Sequence, residues 1–204
     1  ILIGEYGVLF GAPAVVMAVD RRARVRLDES GASMWGVDSL GLGWEPARFT
    51  LDSDGSLRWH SRSENSDRYV LFERVLKSLL GSGLVQPEAA APFAASLDTR
   101  AFFEPGDGVP IKLGLGSSAA LTVALASALV QWAGSGDPVE PGLRWMQRLL
   151  QLHRAFQGGK GSGVDLAASL MGGFLEYRLD SQGSVATVAH LDLPEGLHFV
   201  VVWT

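Results

Sequence analysis

The chain has 204 residues, 47% hydrophobic and 19% charged, and its 17 basic against 22 acidic side chains leave a net charge of −5. That composition suffices for a packed core, and the acidic balance argues against the basic face a nucleic-acid binder carries. The sequence has no cysteine, which excludes disulfides, thiolate metal sites and cysteine nucleophiles and makes a cytoplasmic location the expectation, while no apolar run reaches the ~18–20 residues of a membrane span.

In chain order, Ile1–Ile3 reads as a strand stub and Gly4-Glu5-Tyr6-Gly7 as a turn. Residues 8–19 are apolar but interrupted by Gly11 and Pro13, which predicts two short pieces rather than one helix. Ala23–Leu27 alternates with period two, as a half-exposed strand does. Residues 31–65 read as hairpins with long turns. Residues 68–80 carry Val70, Leu71, Val75 and Leu79 at helical spacing, with Gly81 as the expected C-cap. A strand is predicted over Ala94–Phe103, and a helix that is apolar all round, hence central and buried, over Ala119–Val130. Pro141 suits the first position of a further helix with Trp145, Leu149, Leu152 and Phe156 on its inner stripe. A glycine loop over 158–163 leads to a short helix from Val164 to Leu170, stopped by Gly172-Gly173. Strands are expected near Phe174–Leu179, Val185–Leu191 and Phe199–Trp203. Hairpins and helices mixed without regular βαβ repeats argue for an α+β fold. Ile1 without a Met and the apolar run His198–Thr204 both read as cuts through secondary structure, so the expectation is a portion of a longer protein.

The most informative stretch is Ile111-Lys112-Leu113-Gly114-Leu115-Gly116-Ser117-Ser118-Ala119, running into the buried helix. The first amides of a helix lack internal partners and sit at the positive end of its dipole. Glycines let that backbone approach an anion, and hydroxyls there can hold phosphate oxygens or Mg²⁺. No Gly-Lys-Ser/Thr follows, so this is not a Walker A loop. Two other readings remain open. Gly114-x-Gly116-x-x-Ala119 formally matches a dinucleotide fingerprint, though a loop rather than a strand precedes it. Ser117 or Ser118 could also simply cap the helix. A second candidate is Gly161-Ser162-Gly163-Val164-Asp165. Asp165 either stabilises its helix N-terminus or orients an acceptor hydroxyl in phosphoryl transfer. Between Pro141 and Val164 there is no acid, and Arg144, Arg148, Arg154 and Lys160 form either a solvated stripe or a hint of an anionic ligand. No Gly-x-Ser-x-Gly elbow is present, and the four histidines at 60, 153, 190 and 198 lack metal spacing. The six tryptophans read as packing.

Taken together, these segments resemble the GHMP kinases. Gly4-Glu5-Tyr6 resembles their first motif, Leu113–Ala119 their ATP phosphate loop and Gly161–Asp165 the segment with their catalytic aspartate. The resemblance implies the N-terminal domain of such a kinase over 1–204, an α+β fold similar to ribosomal protein S5 domain 2, without a C-terminal GHMP domain in this chain. It implies ATP and Mg²⁺, with Gly114, Leu115, Gly116, Ser117, Ser118 and Ala119 on the nucleotide, Ser118 on the metal, Asp165 and Lys112 as catalytic residues, and Glu5, Tyr6, Ser162 and Gly163 toward the acceptor. Tyr6, Gln157-Gly158 and Lys112 lean toward the phosphomevalonate kinase subgroup. Mevalonate kinases carry a metal-binding Glu about eleven positions before the aspartate, where Arg154 stands here. The family's lysine, expected about two positions before Ile1, is not in the chain. The implied reaction is transfer of the γ-phosphoryl group of ATP to a phosphorylated small alcohol, most simply phosphomevalonate. The alternatives are mevalonate or a sugar as acceptor, or an inactive nucleotide-binding relative acting as a scaffold. The expected partners are that small molecule, no nucleic acid and no membrane, in a monomer or homodimer.

Overall fold

The computed structural model describes residues 1–31, 33–52, 54–60, 69–86, 91–106, 110–134, 142–156, 158 and 161–200. A 3₁₀ turn, Gly7–Phe10, precedes β1 (Ala14–Met17), so the apolar run at 8–19 does break into two pieces. Then come β2 (Arg24–Glu29), β3 (Trp35–Leu40), β4 (Ala47–Leu51), β5 (Leu57–Trp59), α1 (Val70–Gly81) and β6 (Phe93–Asp98). A 3₁₀ turn at Arg100–Phe102 leads to β7 (Phe103–Glu104), β8 (Ile111–Lys112), α2 (Ser117–Trp132), α3 (Leu143–Phe156), α4 (Val164–Met171), β9 (Phe174–Leu179) and β10 (Val185–His190).

One sheet has five strands in the order β2-β6-β3-β4-β5, antiparallel except for the parallel β3–β6 pair. Its alternation is regular: Phe93, Ala95 and Leu97 of β6 point inward, as do Trp35 and Val37 of β3. Phe49 anchors that inner face, with Trp35, Trp59, Phe72 and Phe93 around its ring. The tryptophans described here are thus packing residues, Trp132 also bonding the Ala91 carbonyl. A second sheet, β1-β9-β10, is antiparallel, and β7–β8 is a separate hairpin. The helix α2 packs against α1, α3, α4 and β2, while α4 lies on β1 and β9. That central place explains why α2 is apolar on every side.

Several boundaries differ from expectation. The predicted strand over 94–103 stops at Asp98, whose carboxylate accepts bonds from the amide and guanidinium of Arg100 and so turns the chain into the 3₁₀ segment. Gly81 ends α1 from within, and Gly83 takes the left-handed conformation instead. Ile1–Ile3 forms a single bridge, Ile3 to Val15, rather than a strand. Residues 199–200 are not in a strand. Pro141, Gln157, Lys160 and residues 201–204 lie outside the described residues.

Candidate active site

Lys112 ends β8, and the Leu113 amide donates to the Phe102 carbonyl at 3.0 Å, which fixes the chain as it leaves the hairpin. Gly114 and Gly116 then adopt φ +69° and +74°, a region that side chains rarely enter. Gly116 is itself the N-cap of α2, and no side chain caps the helix. The reading of Ser117 or Ser118 as a simple cap is therefore corrected: both are inside the helix, Ser117 buried and Ser118 half-buried. The first intrahelical donor is Ala120, bonding the Gly116 carbonyl. The amides of Ser117, Ser118 and Ala119 precede it and carry the partial positive charge of the helix start.

The third motif repeats this design. Gly163, at φ +80°, is the N-cap of α4, again without a side-chain cap. A Cβ on Gly163 would lie 2.7 Å from Leu150 Cδ1 and 3.1 Å from Tyr177 Oη, so glycine is there for packing. The residue is buried and contributes shape rather than a surface for an acceptor. Ser162 Oγ accepts weakly from the Val164 amide at 3.4 Å. Asp165, on the first turn of α4, is exposed.

These two helix starts face one another. A Cβ built on Gly116 would meet Asp165 Cγ at 3.5 Å and Oδ2 at 3.6 Å. Forty-nine positions apart in sequence, the glycine loop and the carboxylate are thus in contact. The first motif connects through packing. Gly4, at φ +88°, sits so close to residues 13–14 that a Cβ would fall 2.5 Å from the Pro13 oxygen. Ala14 pairs with Tyr177 across β1–β9, and the Tyr177 hydroxyl donates to the Ser162 carbonyl at 2.6 Å. Glu5 and Tyr6 are exposed at that end of the second sheet, Tyr6 with 78% of its surface free. Lys112 is exposed and makes no ion pair among the described residues.

Residues 89–173 match the family model for the GHMP kinases N terminal domain. The chain carries a GHMP kinase N-terminal domain. It is 29% identical to a phosphomevalonate kinase of Streptomyces sp. (strain CL190), covering 98% of this chain and 58% of that protein. It is 32% identical to a mevalonate kinase of Methanothermobacter thermautotrophicus, covering 94% and 54%. A solved structure of Streptococcus pneumoniae phosphomevalonate kinase in complex with phosphomevalonate and AMPPNP superposes with a TM-score of 0.60 over 88% of this chain and 47% of that one, at 19% identity, a likeness of fold. The chain spans a little over half the length of these curated relatives.

Within this GHMP kinase domain, the donor set suits Mg²⁺. The ion prefers oxygen and takes few protein ligands, leaving phosphates and water to complete its shell. Ser118, half-buried in the first turn of α2, carries such an oxygen, and among the described residues no group of three or more His, Asp or Glu is placed to hold a metal. The basic stripe on α3 needs correction at one member. Arg144 and Arg148 are exposed, whereas Arg154 turns inward, its Nε bonding the Gly161 carbonyl at 2.9 Å and its Nη1 that of Gly183. Its charge is directed at the loop backbone, not at an incoming phosphate. His153, one position earlier, is buried, and its pKa is held below the ordinary value by desolvation, with the negative charge of Asp165 opposing. Burial pushes the Tyr177 phenol far above its usual range, Arg154 opposing, so it stays a donor. Sequence reading named His153 only among histidines without metal spacing and did not single out Tyr177; the tell-tale would have been polar atoms at core positions of helix and strand. It also missed a cavity of about 290 Å³ between the Asp20–Arg24 segment and β7, where Arg21 pairs with Glu104 at 3.7 Å.

Proposed function

We propose that the chain is the ATP-binding half of a small-molecule kinase of the mevalonate pathway, with phosphomevalonate as acceptor and with the acceptor pocket completed by a C-terminal domain. The observation that carries this reading is the placement of Gly116, cap of the uncapped α2 terminus, directly against the carboxylate of Asp165. Amides aimed at an anion on one side and a carboxylate on the other are what phosphoryl transfer requires, since its catalysis is mostly positioning and electrostatic stabilisation.

The amides of residues 117–119 and the Ser118 hydroxyl hold phosphate oxygens at the positive end of α2. Mg²⁺, when bound through Ser118 and the phosphates, supplies neutralisation of charge on the transferring group. Lys112, delivered by β8 two residues before the loop, adds a cation toward the transferring group. Asp165 orients the acceptor. A phosphate acceptor is already largely ionised at neutral pH, so the carboxylate acts by placement and field rather than as a strong base. The relatives support the pathway, and Tyr6 and Arg154, where mevalonate kinases resemble one another in having His and Glu, support phosphomevalonate within it. The 32% identity to a mevalonate kinase favours mevalonate as the second reading.

The test is ADP release by the full-length protein over mevalonate, phosphomevalonate, galactose and homoserine. Phosphomevalonate should give the highest kcat/KM, and Asp165→Ala should cut kcat by at least ~10³-fold with ATP affinity little changed. Turnover confined to another acceptor overturns the substrate, and a near-normal rate in Asp165→Ala overturns the role of the carboxylate.

A further inference from the structure

The segment that carries Asp165 is held by two side chains from outside it. Arg154, on α3, donates Nε to the Gly161 carbonyl at 2.9 Å and Nη1 to the Gly183 carbonyl at 2.6 Å. Gly183 lies in the tight β9–β10 turn, where its amide bonds Asp180 and the Asp180 carboxylate accepts the amides of Gln182 and Ser184. Tyr177, in the middle of β9 and fully buried, donates to the Ser162 carbonyl at 2.6 Å. Consecutive carbonyls, 161 and 162, are therefore gripped from two directions. Gly163 follows, pressed on Leu150, Met146 and the same Tyr177 hydroxyl. Two residues later comes Asp165, against Gly116.

The chemistry explains the choice of residues. A loop with left-handed glycines has many backbone states, and each carbonyl buried in it needs a donor. A guanidinium has donors in a rigid planar fork and can serve two carbonyls at once; an ammonium on a flexible stem cannot hold both in a fixed relation. Among the described residues Arg154 has no carboxylate partner, so its charge is not already committed elsewhere. The Tyr177 hydroxyl remains protonated across the working range because its phenol is desolvated. A bridge from α3 through the loop to the β9–β10 turn also means that the position of Asp165 depends on a hairpin tip 18 residues further along the chain.

We infer that Arg154 and Tyr177 are positioning residues that clamp the 161–163 backbone and thereby set Asp165 at its distance from the phosphate loop. This inference rests on the kinase reading above for its catalytic consequence, but the clamp itself is a statement about the loop. Neither residue touches the reacting groups.

The experiment uses the full-length protein with Arg154→Gln, Arg154→Lys and Tyr177→Phe, and Val37→Ala in the five-stranded sheet as a control of comparable thermal destabilisation. Tyr177→Phe keeps the ring and removes only the donor. Steady-state kinetics should show kcat reduced ~10–100-fold in Tyr177→Phe and Arg154→Gln, with KM for ATP within about twofold of wild type. Arg154→Lys should recover less than a tenth of the lost kcat. Val37→Ala should retain kcat. Amide hydrogen exchange over residues 161–168 should quicken at least tenfold in the clamp variants and not in the control. Unchanged kcat in both Tyr177→Phe and Arg154→Gln, or an equal loss in Val37→Ala, overturns the positioning role. If the wild-type protein consumes no ATP with any acceptor, the kinase reading falls, and the exchange data decide the clamp alone: faster exchange sustains it and unchanged exchange refutes it.

Discussion

The contact between Gly116 and Asp165 makes a sharp prediction for Gly116→Ala. The new methyl group would lie 3.5 Å from Asp165 Cγ and 3.6 Å from Oδ2, ordinary van der Waals distances. Nothing must move, so the folding cost comes from holding alanine at φ +74°, about 1–2 kcal/mol. On the proposed function the cost to turnover is larger, because the methyl sits against the Asp165 carboxylate that orients the acceptor. A displacement of the reacting groups on the order of 1 Å costs roughly 10²-fold, about 2.7 kcal/mol of transition-state stabilisation. Gly134→Ala is the matched control: its φ is +61°, and a Cβ there meets nothing within 4 Å. Urea denaturation of the full-length protein should show similar losses for both variants, while ADP release should fall ~100-fold in Gly116→Ala only. A kcat/KM for Gly116→Ala within about threefold of wild type, or an equal fall in Gly134→Ala, would refute a catalytic role for the Gly116–Asp165 contact.

Gly4→Ala places a methyl 2.5 Å from the Pro13 oxygen and 2.8 Å from Ala14 Cα, both rigid backbone, at φ +88°. The expected loss of stability is about 3 kcal/mol by urea denaturation, and a loss under ~1 kcal/mol contradicts the packing of the first motif. His153 titrates below its ordinary value near 6.5. The unfolded chain therefore binds the proton first as pH falls, so this contribution to stability is complete above pH ~6.5 and is lost as pH drops through the lower folded pKa. His153→Gln should flatten the stability difference between pH 7.5 and pH 5 measured by denaturant titration; an unaltered slope rules out the buried neutral imidazole. Lys112→Ala should lower kcat ~10²-fold with folding unaffected, since the side chain is exposed. An unchanged rate removes it from the reaction.

Much of the candidate site is written locally. Glycines at 114, 116 and 163 announce left-handed turns because L side chains are excluded there, and the unbroken apolar run after Ser118 announces a helix with no solvent face. The turn residues of 31–65 announce short hairpin strands. These are properties of a residue and its near neighbours, so the order of the three motifs and the α+β class could be read before any coordinates. That Asp165 lies against the glycine loop before α2 could not, because that distance joins residues 49 positions apart and arises from α4 packing on α2. Arg154 shows the same limit from the other side. Its acid-free helix left open a solvated stripe or an anionic ligand, yet its acceptors are the carbonyls of Gly161 and Gly183. Every residue carries a carbonyl, so a sequence does not distinguish the one that a guanidinium will meet; only the packing of helix, loop and hairpin does.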